Sequence, residues 1–366
     1  MPAAAAAWPI SCRLPLMLVK PIPVIFTLLL ALAGAGLCVW LGTPLPWMIG
    51  PLLASACASV AGAPTASWRP LGGAGQWAIG AALGLYFTPQ VTALVGSLWW
   101  AIVLAIAWAL LLGLGFGAWL HRVNARHMVS VPPPAMRATS YFAGAIGGAS
   151  EMTLLAERAH ARTDLVAASH SLRLLLVTVT IPFAMQWSGL HGLDVNPPVI
   201  RAVDGAGFAA LALATAAGAW LLRGLGRTNP WFMGPLLVAM GLTMAGVHLS
   251  GIPAWLTNAA QLLIAVGLGV RFSRSFLQAA PSWMASVALG TLLMLLVCSG
   301  FAALLAWATG LPLATLVLGT SPGGIAEMAI TAKVLQLGVP VVTAFQVCRL
   351  VAVLLLVAPL YRWLYQ

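Results

Sequence analysis

The chain is poor in charge, and poorest in acidic charge: six Asp and Glu stand against seventeen Lys and Arg in 366 residues. Charged residues make up 6% of it, where an ordinary soluble domain carries about 25%. So few polar groups cannot cover a soluble fold of this size, which excludes an ordinary cytosolic enzyme. Cysteine is scarce as well. Cys12, Cys38, Cys57, Cys298 and Cys348 are scattered, four of them inside apolar runs, and no pair has metal-binding spacing. Neither a disulfide framework nor a zinc site is indicated. The six histidines form no cluster, which argues against a copper or iron oxygenase centre. No cofactor and no metal site is expected. The net charge of +11 comes without a basic patch interleaved with aromatics, so direct nucleic-acid binding is not expected. The basic residues sit in short loops, as the positive-inside rule requires of a membrane protein.

What the chain has is apolar length. Hydrophobic residues make up 61% of it. Twelve apolar segments follow one another, at about 22–42, 45–62, 71–87, 93–120, 139–157, 165–187, 203–222, 230–249, 255–272, 283–308, 314–335 and 341–364. Many approach the ~20 residues a bilayer demands of a helix. The run beginning at Ile22 is too long for a typical signal-peptide core, and Leu37 before Cys38 fits a lipoprotein cleavage site poorly. It reads as a retained first span.

The sequence repeats itself. Pro46-Trp47-Met48-Ile49-Gly50-Pro51-Leu52-Leu53 matches Pro230-Trp231-Phe232-Met233-Gly234-Pro235-Leu236-Leu237. Gln76, Ile79, Leu83, Gly84 and Phe87 match Gln261, Ile264, Leu268, Gly269 and Phe272. Gly147-Gly148-Ala149-Ser150-Glu151-Met152 matches Gly323-Gly324-Ile325-Ala326-Glu327-Met328. Three matches in the same order mean duplication. The organisation is a cytoplasmic segment at 1–20, a membrane repeat at 21–190, an external linker at 191–202 and a second membrane repeat at 203–366.

Charge sets the topology. If each Gly-Gly segment enters the membrane and returns, each half crosses five times and the second copy is inverted. With the N-terminus inside, Arg13, Lys20, Arg69, Arg122, Arg126, Arg137, Arg158, Arg162, Arg223, Arg227, Arg271, Arg274 and Arg362 then fall on the cytoplasmic side, and Arg201 alone outside. Twelve full crossings would break that pattern. The expected fold is an all-α polytopic membrane protein with two inverted structural repeats, about ten membrane-crossing helices and two broken or re-entrant helices. Its expected location is the cell inner membrane.

Two of the six acidic residues, Glu151 and Glu327, sit in apolar segments directly after Gly147-Gly148 and Gly323-Gly324. A carboxylate at membrane depth costs about 2.5–3.5 kcal/mol. Glycine pairs, with Pro322 in the second copy, weaken continuous helix. Each Glu then falls in the first turn of a helix starting after a break, where free N–H groups suit a carboxylate or a bound anion. Arg173 and Arg349 follow the two Glu at equal spacing. Folding the chain back at Arg162 and at Gly338 brings each Arg level with its Glu, predicting two carboxylate–guanidinium pairs. His170 and Gln346 each precede an Arg by three residues, on the same helix face. One reading is structural: the pairs close each hairpin. The other is functional: the broken helices form a solute or ion site from Glu151, Glu327, Gly147, Gly148, Thr320, Ser321, Gly323 and Gly324, with Arg173, Arg349, His170 and Gln346 as buried ion-pair or gating residues. Thr320 and Ser321 replace Gly144 and Ala145 of the first copy, so the two hydroxyls make the site asymmetric.

Other features weigh less. Gly319-Thr320-Ser321-Pro322-Gly323 matches the hydrolase pattern G-x-S-x-G, but its apolar context offers no strand and no triad partners. The Pro-Trp-x-x-Gly-Pro-Leu blocks suit close helix packing better than solute contact. Gln76 and Gln261 suit an interhelical hydrogen bond. Glu157 and Lys333 occupy equivalent positions with opposite sign, and read as end residues whose tips reach the interface.

The paired Pro-Trp-x-x-Gly-Pro-Leu-Leu and Gly-Gly-x-x-Glu-Met blocks resemble those of the bacterial AbrB family of polytopic membrane proteins, from about residue 30 to 360. Members carry the labels ammonia monooxygenase or regulator, and share only a name with the small soluble DNA-binding AbrB of spore formers. The resemblance implies a role in regulating gene expression, and an architecture like the broken-helix cation/proton antiporters and bile-acid symporters. The oxygenase label gains no support from the residues. The expectation is a secondary transporter of a small-molecule or ion substrate in the lipid bilayer, the alternative a membrane-embedded regulator. An enzyme is not expected. A homo-oligomer is compatible with the sequence.

Overall fold

The protein is described by a computed structural model covering residues 21–125, 128, 131–190, 203–227, 229–273 and 280–365. The N-terminal segment 1–20, the linker 191–202, and with them Arg13, Lys20, Arg126, Arg201 and Arg274, lie outside the described residues. Among the described residues the structure is helical, with no strand. The helices of the first half are α1 Pro21–Trp40, α2 Pro46–Val60, α3 Arg69–Gly84, α4 Pro89–Ser97, α5 Trp99–Asn124, α6 Pro133–Gly144, α7 Ala149–Arg158 and α8 Thr163–Ser188. Those of the second half are α9 Gly205–Gly224, α10 Pro230–Met244, α11 Ala254–Gly269, α12 Pro281–Thr309, α13 Leu313–Thr320, α14 Ile325–Val334 and α15 Val339–Tyr365.

Helices α1, α5, α8, α9, α12 and α15 are long and apolar enough to cross a membrane. Helices α2, α10 and α11 are apolar but of 15 or 16 residues. Trp40, Trp187, Trp307 and Trp363 lie in the last turn of α1, α8, α12 and α15, almost fully exposed. Tryptophan at helix ends is the signature of a membrane–water interface. The chain is an integral membrane protein with transmembrane helices.

The segment expected as one span at 93–120 is two helices. Helix α4 turns 89° away from α3, and Leu98 (φ −91, ψ 11) separates it from α5. Pro89 opens α4 behind Thr88, whose hydroxyl accepts from the Val91 N–H. The apolar run is continuous through Leu98, so composition hides the corner. The segment expected at 139–157 begins earlier, at Pro133, where a proline suits the first turn of α6.

The halves pack alike. Helix α1 packs on α2 as α9 packs on α10, and α3 on α10 as α11 on α2. Helix α5 meets α6 as α12 meets α13, and α8 meets α12 as α15 meets α5. Gly75 abuts Ala260, its counterpart in the second copy. Glycines of the repeated block bring backbones into contact: a side-chain carbon on Gly50 would sit 2.7 Å from the Ala35 nitrogen, and one on Gly234 2.6 Å from the Ala219 Cα. The block is thus a helix-crossing device. Gly234→Ala is therefore expected to lower stability by about 2 kcal/mol through overpacking. Gly241→Ala, with nothing within 4 Å, should instead gain about 0.5–1 kcal/mol of helix preference. Thermal unfolding in detergent separates the two.

Each Gly-Gly segment doubles back. The Arg162 N–H, after α7, donates to Thr139 Oγ1 in the middle of α6 at 2.9 Å. In the second half α13 and α15 run side by side in one direction, since Gln346 and Arg349 of α15 reach successively later carbonyls of α13 and the break that follows it. Helix α14 must return between them. Both returning helices end alike: His160 (φ 52) and Gln336 (φ 54) turn left-handed. The next N–H bonds back, Ala161 to Ala156 O and Leu337 to Ala332 O, a Schellman closure.

Candidate functional site

The breaks fall at Ala145–Gly148 and Ser321–Gly324. In the second copy Pro322 forces Ser321 into extended conformation (φ −64, ψ 149) and ends α13. Ala145 adopts the same conformation without a proline (φ −56, ψ 138), so side chains must end α6.

Those side chains come from α8. Arg173 donates to the carbonyls of Ala145 at 2.9 Å and of Ala143 and Gly144 at 3.4 Å. Its Nη2 also meets His170 Nδ1 at 2.7 Å, and His170 Nε2 lies 2.9 Å from the Phe142 carbonyl. A guanidinium only donates, so Nδ1 accepts and Nε2–H donates to Phe142. In the second copy Gln346 Nε2 donates to Leu318 O at 2.7 Å and Ser321 O at 3.2 Å. Arg349 donates to Ser321 O and, at 2.7 Å, to Gly323 O. All four side chains are buried.

The expected pairs Glu151–Arg173 and Glu327–Arg349 do not form. Among the described residues the one ion pair is Arg162–Asp164. A half-helix ending inside the fold leaves its last carbonyls without partners, and each guanidinium is used there. Each carboxylate serves the opposite polarity, the N-terminus of the returning half-helix. Glu151 and Glu327 occupy the first turn of α7 and α14, half-buried. Their Oε2 atoms fold back to where a side chain on Gly148 or Gly324 would stand.

A side chain on either glycine of each pair would therefore displace a neighbouring side chain. Gly148 (φ −65) and Gly324 (φ −76) have backbones any residue can adopt. The second glycine makes room for the carboxylate. The first lies under a methionine: a carbon on Gly147 would stand 2.7 Å from Met152 Cε, and one on Gly323 2.8 Å from Met328 Cγ. The repeated Glu-Met pair is the sequence signal for this arrangement.

The hydroxyls expected to make the site asymmetric are turned inward. Thr320 Oγ1 donates to Leu316 O at 2.8 Å, and Ser321 Oγ to Leu318 O at 3.2 Å, with Met328 Sδ at 3.1 Å. Deep burial leaves their own backbone as the nearest acceptor. Gln76 and Gln261 make no side-chain hydrogen bond among the described residues; the polar link beside them is Trp77 Nε1 to Thr215 Oγ1 at 3.1 Å. Helix α3 meets α11 there at Gly75, which stands against Ala260, Leu263 and Ile264. Glu157 is exposed, and Lys333 lies half-buried in the last turn of α14.

The two breaks are brought together by α15. Gly147 lies against Val353, one turn beyond Arg349, and the Tyr141 hydroxyl donates to Val357 O at 2.8 Å. Arg173 lies within electrostatic reach of Arg349. Three buried polar atoms at the breaks have no partner: Arg173 Nε, Arg349 Nε and Gln346 Oε1. Buried groups of this kind are satisfied by water or a bound solute. Among the described residues no group of His, Cys, Asp and Glu could hold a metal.

The chain is 26% identical over 356 residues to the uncharacterized protein YhjN of Bacillus subtilis (strain 168), with 88% of each chain covered. No solved structure matches it. The family described as transition state regulatory protein AbrB matches residues 47–365, and the chain belongs to that family.

Proposed function

We propose that the protein is a secondary transporter of a small solute, with its site where the two broken hairpins meet. The observation that carries this reading is the duplicated break. Each copy holds a half-buried carboxylate at the start of one half-helix and a buried guanidinium on the end of the other, with polar atoms left unpartnered between. Irregular backbone at membrane depth is tolerated where it is buried in protein or lines a water-filled cavity, and broken helices in inverted copies mark transporter sites. A protonatable Glu there can couple transport to protons.

Helix directions support inversion. The Ala66 N–H bonds Thr27 Oγ1 near the start of α1, so α3 begins where α2 ends and runs opposite to it. Gly80 meets Phe232, and Gly84 meets Ala239 and Met240, so α3 runs with α10. Helix α10 is then opposed to α2, its counterpart. Five crossings per half follow, with both hairpins re-entrant and the N-terminus in the cytoplasm of a cell whose inner membrane houses the chain. The four-residue turn after α14 and the Arg162–Thr139 bond support re-entry.

A metabolite screen by thermal shift, followed by proteoliposome uptake of each hit, tests the reading. The expected outcome is uptake that collapses with a protonophore or sodium ionophore, and that falls at least about tenfold in Glu327→Gln, the loss matching ~1.4 kcal/mol of lost interaction. A solute whose binding and uptake both survive that change removes Glu327 from the site. The family's description favours a second reading, a membrane-embedded regulator of gene expression. It predicts that deleting the gene alters transcript levels even where no solute gradient exists.

A further inference from the structure

A cavity of about 280 Å³ opens between the end of α5, the first turns of α6 and the end of α15. His121, Arg122, Arg137, Ser140, Tyr141 and Tyr365 line it, and among the described residues no acidic one does. Neither guanidinium has a hydrogen bond or ion pair among the described residues, where Arg162–Asp164 is the one ion pair. Ser140 is 1% exposed, and among the described residues its Oγ has no partner, nor has the buried Nδ1 of His121. Buried polar atoms without partners are rare, and each asks for an explanation. The wall is tied together: Tyr141 donates to Val357 O, and its ring packs tilted against Tyr361 and edge-on against Tyr365. Gly117 of α5 lets the backbone of Ser140 approach closely, which sets the hydroxyl at the base of the pocket.

We propose that this pocket binds a phosphate group. Two guanidiniums present planar forks suited to phosphate oxygens, and carry the charge to balance a dianion. The Ser140 hydroxyl and the His121 imidazole add further polar contacts at the base. The phosphate has two chemical sources, a soluble phosphate or phosphate ester and the headgroup of an anionic lipid. No residue of either break, Ala145–Gly148 or Ser321–Gly324, lines the pocket, so the proposal does not rest on the transport reading.

The test uses the full-length protein in phosphatidylcholine nanodiscs, with thermal unfolding as readout. Inorganic phosphate is titrated in one arm, and phosphatidylglycerol replaces part of the lipid in the other. The expected result is a rise in the unfolding midpoint with one of the two probes. The Arg122→Gln/Arg137→Gln variant then needs about tenfold more of that probe, or more, since charge-assisted contacts to both arginines are lost. Ser140→Ala needs about threefold more by the loss of one neutral contact, and keeps the proposal testable should the double variant not fold. A response to inorganic phosphate assigns a soluble ligand; a response to phosphatidylglycerol alone assigns a headgroup. No response to either probe, or a response unchanged in both variants, overturns the proposal.

Discussion

Replacing Arg349 with methionine should cost about 2–4 kcal/mol of stability, from buried carbonyls that cost ~1–3 kcal/mol each when orphaned. Gly323 O loses its side-chain donor outright, and Ser321 O keeps only the longer contact from the Gln346 amide at 3.2 Å. Part of their loss is offset because an expensive buried charge disappears as well. Against a total of some 5–15 kcal/mol the net is large. Arg173→Met, which frees the carbonyls of Ala143, Gly144 and Ala145 and unseats His170, should cost as much. Lysine at 349 should be intermediate, since a compact ammonium can reach one carbonyl well but lacks the fork that spans two. Chemical unfolding in detergent measures all three. A second comparison separates helix capping from ion pairing. Were Arg349 there to neutralise Glu327, adding Glu327→Gln to Arg349→Met would restore stability. Capping predicts no such rescue, and costs that add.

Gly324→Ala should be nearly as damaging to function as removing Glu327. The methyl group would occupy the space now held by the Glu327 Oε2. The backbone tolerates alanine (φ −76, ψ 153), so the cost is not conformational. The carboxylate must leave the helix N-terminus, losing about 0.3–1 kcal/mol of dipole interaction, up to ~2 kcal/mol when buried. Uptake should fall at least about tenfold, as for Glu327→Gln. The diagnostic is a double variant. Once Glu327→Ala has emptied that space, Gly324→Ala should cost nothing further, and helix preference should make it slightly favourable. Gly148→Ala with Glu151→Ala should behave identically in the first copy. An undiminished penalty in the Glu327→Ala background would show that the glycine serves something other than the carboxylate.

The helices were legible where hydrophobicity alone decides. The apolar runs predicted α1, α8, α9, α12 and α15 closely, because a bilayer-length helix needs only sustained apolar residues. The two breaks and the first-turn positions of Glu151 and Glu327 were legible too, since Gly-Gly followed by an acid interrupts such a run. The helix break at Leu98 was hidden inside unbroken apolar sequence. The start of α6 was hidden for the opposite reason: its first turns, with Arg137, are too polar to read as membrane. At the site, spacing correctly put Arg173 and Arg349 beside the breaks but assigned them the wrong partners. Sequence displays carboxylates and hides carbonyls, so an Arg near a Glu invites pairing. In the fold, each guanidinium is taken up by the carbonyls at the end of the preceding half-helix and in the break that follows it. The Thr320 and Ser321 hydroxyls likewise bond carbonyls of their own helix.

The claim on which the rest depends is that the two broken hairpins enter the membrane from opposite faces. Single cysteines beside each break, Ser150→Cys and Ala326→Cys in a cysteine-free background, report this directly. Labelled with a membrane-impermeant maleimide in right-side-out and inside-out vesicles, position 150 should react from the cytoplasmic face alone and position 326 from the outer face alone. Reaction of both from one face, or of neither from any, would contradict the inverted arrangement and the shared site built on it.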